Sequence, residues 1–106
     1  MNIKVSKNYV KKGEAVSKVK YYFEIPTSPD LNDEREIFVR VFQKEGNVAL
    51  EVIANIQNHE TSYKKSVISK ENVMLETMLP RYDDTNNLVL IEFQVTQVKE
   101  KSFQIH

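Results

Sequence analysis

Apolar and polar residues alternate with a period of two along most of the chain, the pattern of half-buried β-strands. Val19, Tyr21, Phe23 and Ile25 alternate with Lys18, Lys20, Tyr22 and Glu24, and Pro26 and Pro29 stop that strand. Residues 26–34 are turn-rich and acidic, which predicts a surface loop. Ile37, Val39 and Val41 line one face of the next strand, with Phe38, Arg40 and Phe42 on the other. Glu45-Gly46-Asn47 makes a tight turn, because Gly supplies the positive φ that a hairpin requires. Val48, Leu50, Val52, Ala54 and Ile56 return along a single face and are predicted core.

The second half is less regular. Residues 57–68 are polar; Ser66-Val67-Ile68 suits a short strand, the alternative being a helix from near Ser62 with Tyr63 and Val67 on its stripe. Residues 70–79 predict one short helix: Ser69 as N-cap, Glu71 in the first turn, Leu75, Met78 and Leu79 at helical spacing, and Pro80 as the stop. After the polar turn Asp83–Asn87, Val89, Ile91, Phe93 and Val95 alternate with Leu88 and Leu90. That strand is apolar on both sides at its start, so a central position covered on both faces is expected. Phe103 and Ile105 suit a last edge strand, and Ile3 and Val5 a first one that turns at Lys12-Gly13 and pairs with the strand from Ala15.

These elements make one domain over residues 1–106 of the α+β class: a mostly antiparallel β-sheet of five to six strands with one short helix at about 70–79. Without the first strand, the order is three strands, a helix and two strands. This resembles the element order of the OB-fold, and the resemblance implies a small curled sheet or barrel that binds single-stranded nucleic acid.

Composition narrows the function classes. Hydrophobic residues are 41% and charged residues 28%, ordinary for a folded domain. With no cysteine there is no disulfide, thiolate site or cysteine nucleophile. The longest apolar run, Leu88–Ile91, is four residues, so neither a membrane span nor a signal-peptide core is expected, and a cytoplasmic protein of a bacterial or phage-infected cell is. His59 lies in a polar stretch and His106 ends the chain, so neither suggests a catalytic base. Asp83-Asp84-Thr85-Asn86 lacks the glycine and the distal glutamate of a calcium loop. No enzyme, cofactor or metal is expected.

Charge is segregated. The first twenty residues carry +5 and the remainder −5. Lys11, Lys12, Lys18 and Lys20 with Tyr22 form a basic hairpin suited to phosphates and bases. Asp30, Asp33, Glu34 and Glu36 form an acidic loop suited to a basic partner channel. Phe38 and Phe42, with Ile53 and Tyr22, would make an apolar interface on an open sheet face, or core beneath the helix.

Three functions fit. The first is a non-enzymatic binding protein acting stoichiometrically on a larger protein or nucleoprotein complex. Single-stranded nucleic-acid binding is the second, and an assembly subunit, such as a homodimer, that pairs its sheets is the third. Lys, Asn, Glu and Ile are frequent and Gly scarce, as in AT-rich bacteria and their phages; stand-alone proteins of this size on mobile elements include inhibitors of host machinery such as anti-CRISPR proteins.

Overall fold

The computed structural model of the chain describes residues 2–26, 34–56 and 62–96. Among these residues seven strands run in order: β1 (Lys4–Lys12), β2 (Ala15–Glu24), β3 (Arg35–Lys44), β4 (Asn47–Ile56), β5 (Tyr63–Ser69), β6 (Leu79–Asp83) and β7 (Leu88–Gln94). They form two antiparallel sheets, β1-β2-β7-β6 and β3-β4-β5.

Alternation decides how the sheets meet. Val19, Tyr21, Phe23, Val89, Ile91 and Phe93 face inward from the first sheet, and Leu50, Val52 and Ala54 from the second. All are at most 1% exposed, and they join in one cluster that Ile37, Val39, Val41, Val48 and Val67 flank. The result is a two-layer sandwich whose core is the interdigitated inner faces. The predicted core strand is therefore correct, and so are both hairpin turns. Glu45 (φ 53) and Gly46 (φ 81) are both left-handed, the backbone of a two-residue hairpin turn matched to strand twist.

Three expectations need correction. Among the described residues the sheets are open, with edges at β1, β6, β3 and β5, so the fold is neither a closed barrel nor OB-like. The helix over 70–79 is replaced by a single 3-10 turn, Leu75–Thr77, followed directly by β6. Its N-cap is Met74, without a side-chain cap bond, rather than Ser69. The backbone closes only one turn on itself, Thr77 N–H donating to Met74 O (3.0 Å) and Met78 N–H to Leu75 O (3.1 Å). Otherwise it bonds along β7 and its continuation: Met74 N–H donates to Gln94 O (2.9 Å), Val73 bridges Val95, and Gln94 N–H donates to Thr77 Oγ1 (2.9 Å). A ten-residue helix barely repays its nucleation cost, and sheet bonds supply a better alternative. Pro80 lies inside β6 rather than stopping a helix, tolerated because β6 is an edge strand.

The third correction concerns β7. It is central in its sheet, but among the described residues no third layer lies on its outer face, where Leu88 and Leu90 are half-buried. Residues 57–61 lie outside the described residues, as do Phe103 and Ile105 and both histidines. Tyr63–Ser69 is strand throughout, so the helical alternative from Ser62 is excluded. Among the described residues, no helix is long and apolar enough to cross a membrane.

Candidate functional site

Among the described residues, no helix or strand packs on the outer face of the β3-β4-β5 sheet. Register places Phe38 beside Ile53, Arg40 beside Glu51 and Phe42 beside Ala49, while β5 adds Lys64 beside Ile53, Ser66 beside Glu51 and Ile68 beside Ala49. Phe38 is 49% exposed and Ile68 47%. Phe42 and Ile53 are half-buried. Tyr22, the fourth expected member of this patch, lies on the other sheet and does not join it.

A carboxylate organises the centre of the face. Glu51 is only 5% exposed although it points away from the core. Its Oε1 lies 3.4 Å from Arg40 Nη1; its Oε2 lies 3.5 Å from Lys64 Nζ and accepts from Ser66 Oγ at 3.1 Å. A desolvated carboxylate requires such partners. Two cations share this one acid, so the trio keeps a net charge of +1 between two apolar ends. The Arg40 guanidinium also lies 5.2 Å from the centre of the Phe42 ring, which orients both groups.

A second polar cluster lies where β1 and β2 pass the end of β5. Glu71 Oε1 accepts from Lys7 Nζ (2.9 Å) and from the Tyr9 hydroxyl; its Oε2 accepts from Ser69 Oγ (2.9 Å). The buried Tyr21 hydroxyl lies 2.8 Å from Ser69 Oγ and 3.0 Å from Glu71 Oε2. Burial alone would raise the Glu71 carboxyl, but hydrogen bonds from Tyr9, Lys7, Ser69 and Tyr21 outweigh it and hold the group at about 2. Tyr21 is pushed up to about 12, chiefly by burial. Lys7 is held above the ordinary lysine range by its hydrogen bonds with Tyr9 and Glu71. Every group in the cluster is satisfied by another, so it fastens the first hairpin across the sandwich and presents no reactive atom.

The basic hairpin is divided. Lys18, Lys20 and Tyr22 face outward from β2, and Lys20 lies 3.8 Å from Glu92. Lys11 and Lys12 lie at the exposed end of β1, beyond a register shift at Val10/Lys11. Lys7 and Tyr9 point to the other side, onto Glu71. Of the acidic group, Asp30 and Asp33 lie outside the described residues; Glu34 and Glu36 are exposed at the start of β3. Asp83 instead closes its own turn, accepting from Thr85 N–H (3.1 Å) and Asn86 Nδ2 (2.8 Å). Sequence reasoning missed Glu51 and Glu71. The signal for Glu51 was present, an acid in the middle of a strand whose neighbours are apolar.

No known protein family matches the sequence, and no curated protein does. In structure the chain is similar to heat shock protein 16.0 from Schizosaccharomyces pombe, with a TM-score of 0.56 at 12% sequence identity over 100% of this chain and 97% of that one. The likeness is one of fold, an antiparallel two-sheet sandwich.

Proposed function

We propose that the chain is a non-enzymatic binding protein that acts stoichiometrically by docking the outer face of its β3-β4-β5 sheet on a larger protein. The observation that carries this reading is that face, on which no described element packs. Phe38 and Ile68 are about half exposed on the face that holds the buried Glu51. Large apolar side chains gathered on one side of a small domain mark an interaction surface. The net positive Arg40–Glu51–Lys64 trio suits a partner surface with an apolar centre flanked by carboxylates. An inhibitor of host machinery, of the anti-CRISPR kind, is the narrowest form of this reading and draws only on chain length and residue usage. The nucleic-acid alternative loses the OB-like geometry and keeps the lysines, with Tyr22 beside Lys18 and Lys20 on β2.

Affinity capture from the lysate of a low-GC bacterium, with and without nuclease, tests the reading against a Phe38→Ala, Ile68→Ser variant. A protein retained by the wild type after nuclease treatment and lost with the variant is the expected result. Capture that disappears with nuclease, or that the variant leaves intact, overturns it.

A further inference from the structure

The four sheet edges are not equally defended. Edge strands discourage pairing with lysines, prolines and short length. β1 carries Lys4, Lys7, Lys11 and Lys12, β6 is short and contains Pro80, and the seven-residue β5 carries Lys64 and Lys65. β3 is ten residues long, has no proline, and between Ile37 and Gln43 has a single charge, Arg40. Among the described residues no strand lies along its outer side.

We propose that β3 pairs antiparallel with β3 of a second copy across a twofold axis at Arg40, joining two three-stranded sheets into one of six strands. A twofold axis perpendicular to the sheet keeps each face on its own side, so a residue can meet only residues of its own parity in the second copy. The register therefore slips in steps of two, and side-chain complementarity can choose among few settings. With Arg40 on the axis, Glu36 faces Lys44 of the second copy and Phe38 faces its Phe42. On the inner side Val39 faces Val41. Each contact occurs twice. Opposite charges and aromatic pairs set directly across strands are the favourable combinations.

Neighbouring registers lose this. With the axis at Val39, Phe38 meets Arg40 and Glu36 meets Phe42; with the axis at Val41, Phe38 meets Lys44 and Phe42 meets Arg40. The β1 edge is less suited, since pairing it about its centre, Asn8, sets Lys4 against Lys12. The two arginines on the axis are the one like-charged contact, and each has its own Glu51 at 3.4 Å. Glu36 and Lys44 form no ion pair within the chain among the described residues, so both are available across the axis. The inner side is receptive as well. β3 borders a mostly apolar groove lined by Ile37, Val39, Pro80, Arg81, Tyr82 and Val89, beside which the incoming Val41 would settle.

This inference goes beyond the docking proposal, because the second copy adds to the edge and leaves the outer face uncovered. Two patches then form one continuous surface. The test is sedimentation velocity of the full chain over a range of concentrations, without any partner. The wild type is expected at twice the 12.4 kDa chain mass. Glu36→Lys and Lys44→Glu, each alone, set like charges across the axis and shift the protein to monomer; both together restore the dimer. Arg40→Cys, in a chain with no other cysteine, should cross-link to itself on oxidation, while Phe42→Cys should not. A wild type that is monomeric at every concentration overturns the proposal. So does a dimer indifferent to both single charge reversals, or one that Phe42→Cys cross-links and Arg40→Cys does not.

Discussion

Tyr21, midway along β2, reaches across the sandwich to Ser69 at the end of β5, its hydroxyl 2.8 Å from Ser69 Oγ. Both residues are about 1% exposed, so this is a buried polar contact between the two sheets. Its consequence is orientation: burying apolar faces is non-directional, whereas one hydrogen bond near a sheet edge fixes how the layers sit. Tyr21→Phe keeps the ring and deletes the bond. It should cost about 1–2 kcal/mol, the value of a hydrogen bond whose remaining partner, Ser69, keeps its bond to Glu71. Urea denaturation at neutral pH measures it, and an unchanged midpoint would show that the contact orients nothing.

The carboxylate beside this pair makes stability depend on acid. Glu71 titrates at about 2 in the folded chain against an ordinary value of 4.5. A depressed carboxyl contributes stability that is fully present above the unfolded value and lost as pH falls towards the folded one. The window is therefore pH 4.5 down to 2. After allowance for solvent, the contribution is on the order of 2 kcal/mol. Glu71→Gln should flatten the loss of stability across that window while lowering stability at pH 7. Denaturation curves at several pH values decide the matter, and parallel acid profiles for variant and wild type would refute it.

Inner and outer faces of the second sheet should respond differently to truncation. Leu50 is fully buried and Phe38 half exposed, although both are large and apolar. Leu50→Ala removes core contacts and leaves a cavity, at a cost of about 2–5 kcal/mol. Phe38→Ala should cost under about 1 kcal/mol, since its outer flank already meets water. Equal losses would mean that the sandwich is assigned the wrong way round.

Period-two alternation made β2, β3, β4 and β7 legible because each carries an apolar face at strict spacing, and the turn at Glu45-Gly46 because few residues adopt left-handed backbone. β6 was not legible. Its residues Leu79-Pro80-Arg81-Tyr82-Asp83 are all exposed, so no apolar face marks them, and the proline suggested a stop. The helix was misread because Leu75, Met78 and Leu79 match helical spacing although only Met78 packs against the core. Spacing alone cannot register that β7 offers this segment hydrogen bonds from outside. For the site, Phe38 and Phe42 were identified correctly as a pair on one face. Whether that face was open turned on the absent helix, and Glu51 gained its place only once Arg40, Lys64 and Ser66 were brought around it.

Glu45 is the one strained element of the β3–β4 turn. A side chain at φ 53 pays for a backbone region that Asn and Gly occupy more readily. Glu45→Asn creates an Asn-Gly turn and should stabilise by about 0.5 kcal/mol. Gly46→Ala, at φ 81 with open space around the added methyl, should destabilise by about 1 kcal/mol through strain alone. Thermal melts of both variants check the opposite signs.

Salt separates the two surfaces that could meet a partner. An interface centred on Phe38, Phe42, Ile53 and Ile68 draws its affinity from apolar burial, which salt does not screen. One centred on Lys11, Lys12, Lys18 and Lys20 would depend on charge, and on phosphate it would weaken steeply as counterions compete. Replacing those four lysines with Gln should therefore leave capture of the protein partner within about twofold, because rim charges act mainly on the association rate. Phe38→Ala with Phe42→Ala should reduce capture more than tenfold, several half-buried contacts being lost at about 1.4 kcal/mol per factor of ten. The wild-type complex should survive washing at high salt. A complex that dissolves in salt and fails with the lysine variant would move the site to the hairpin and leave the outer face without a partner.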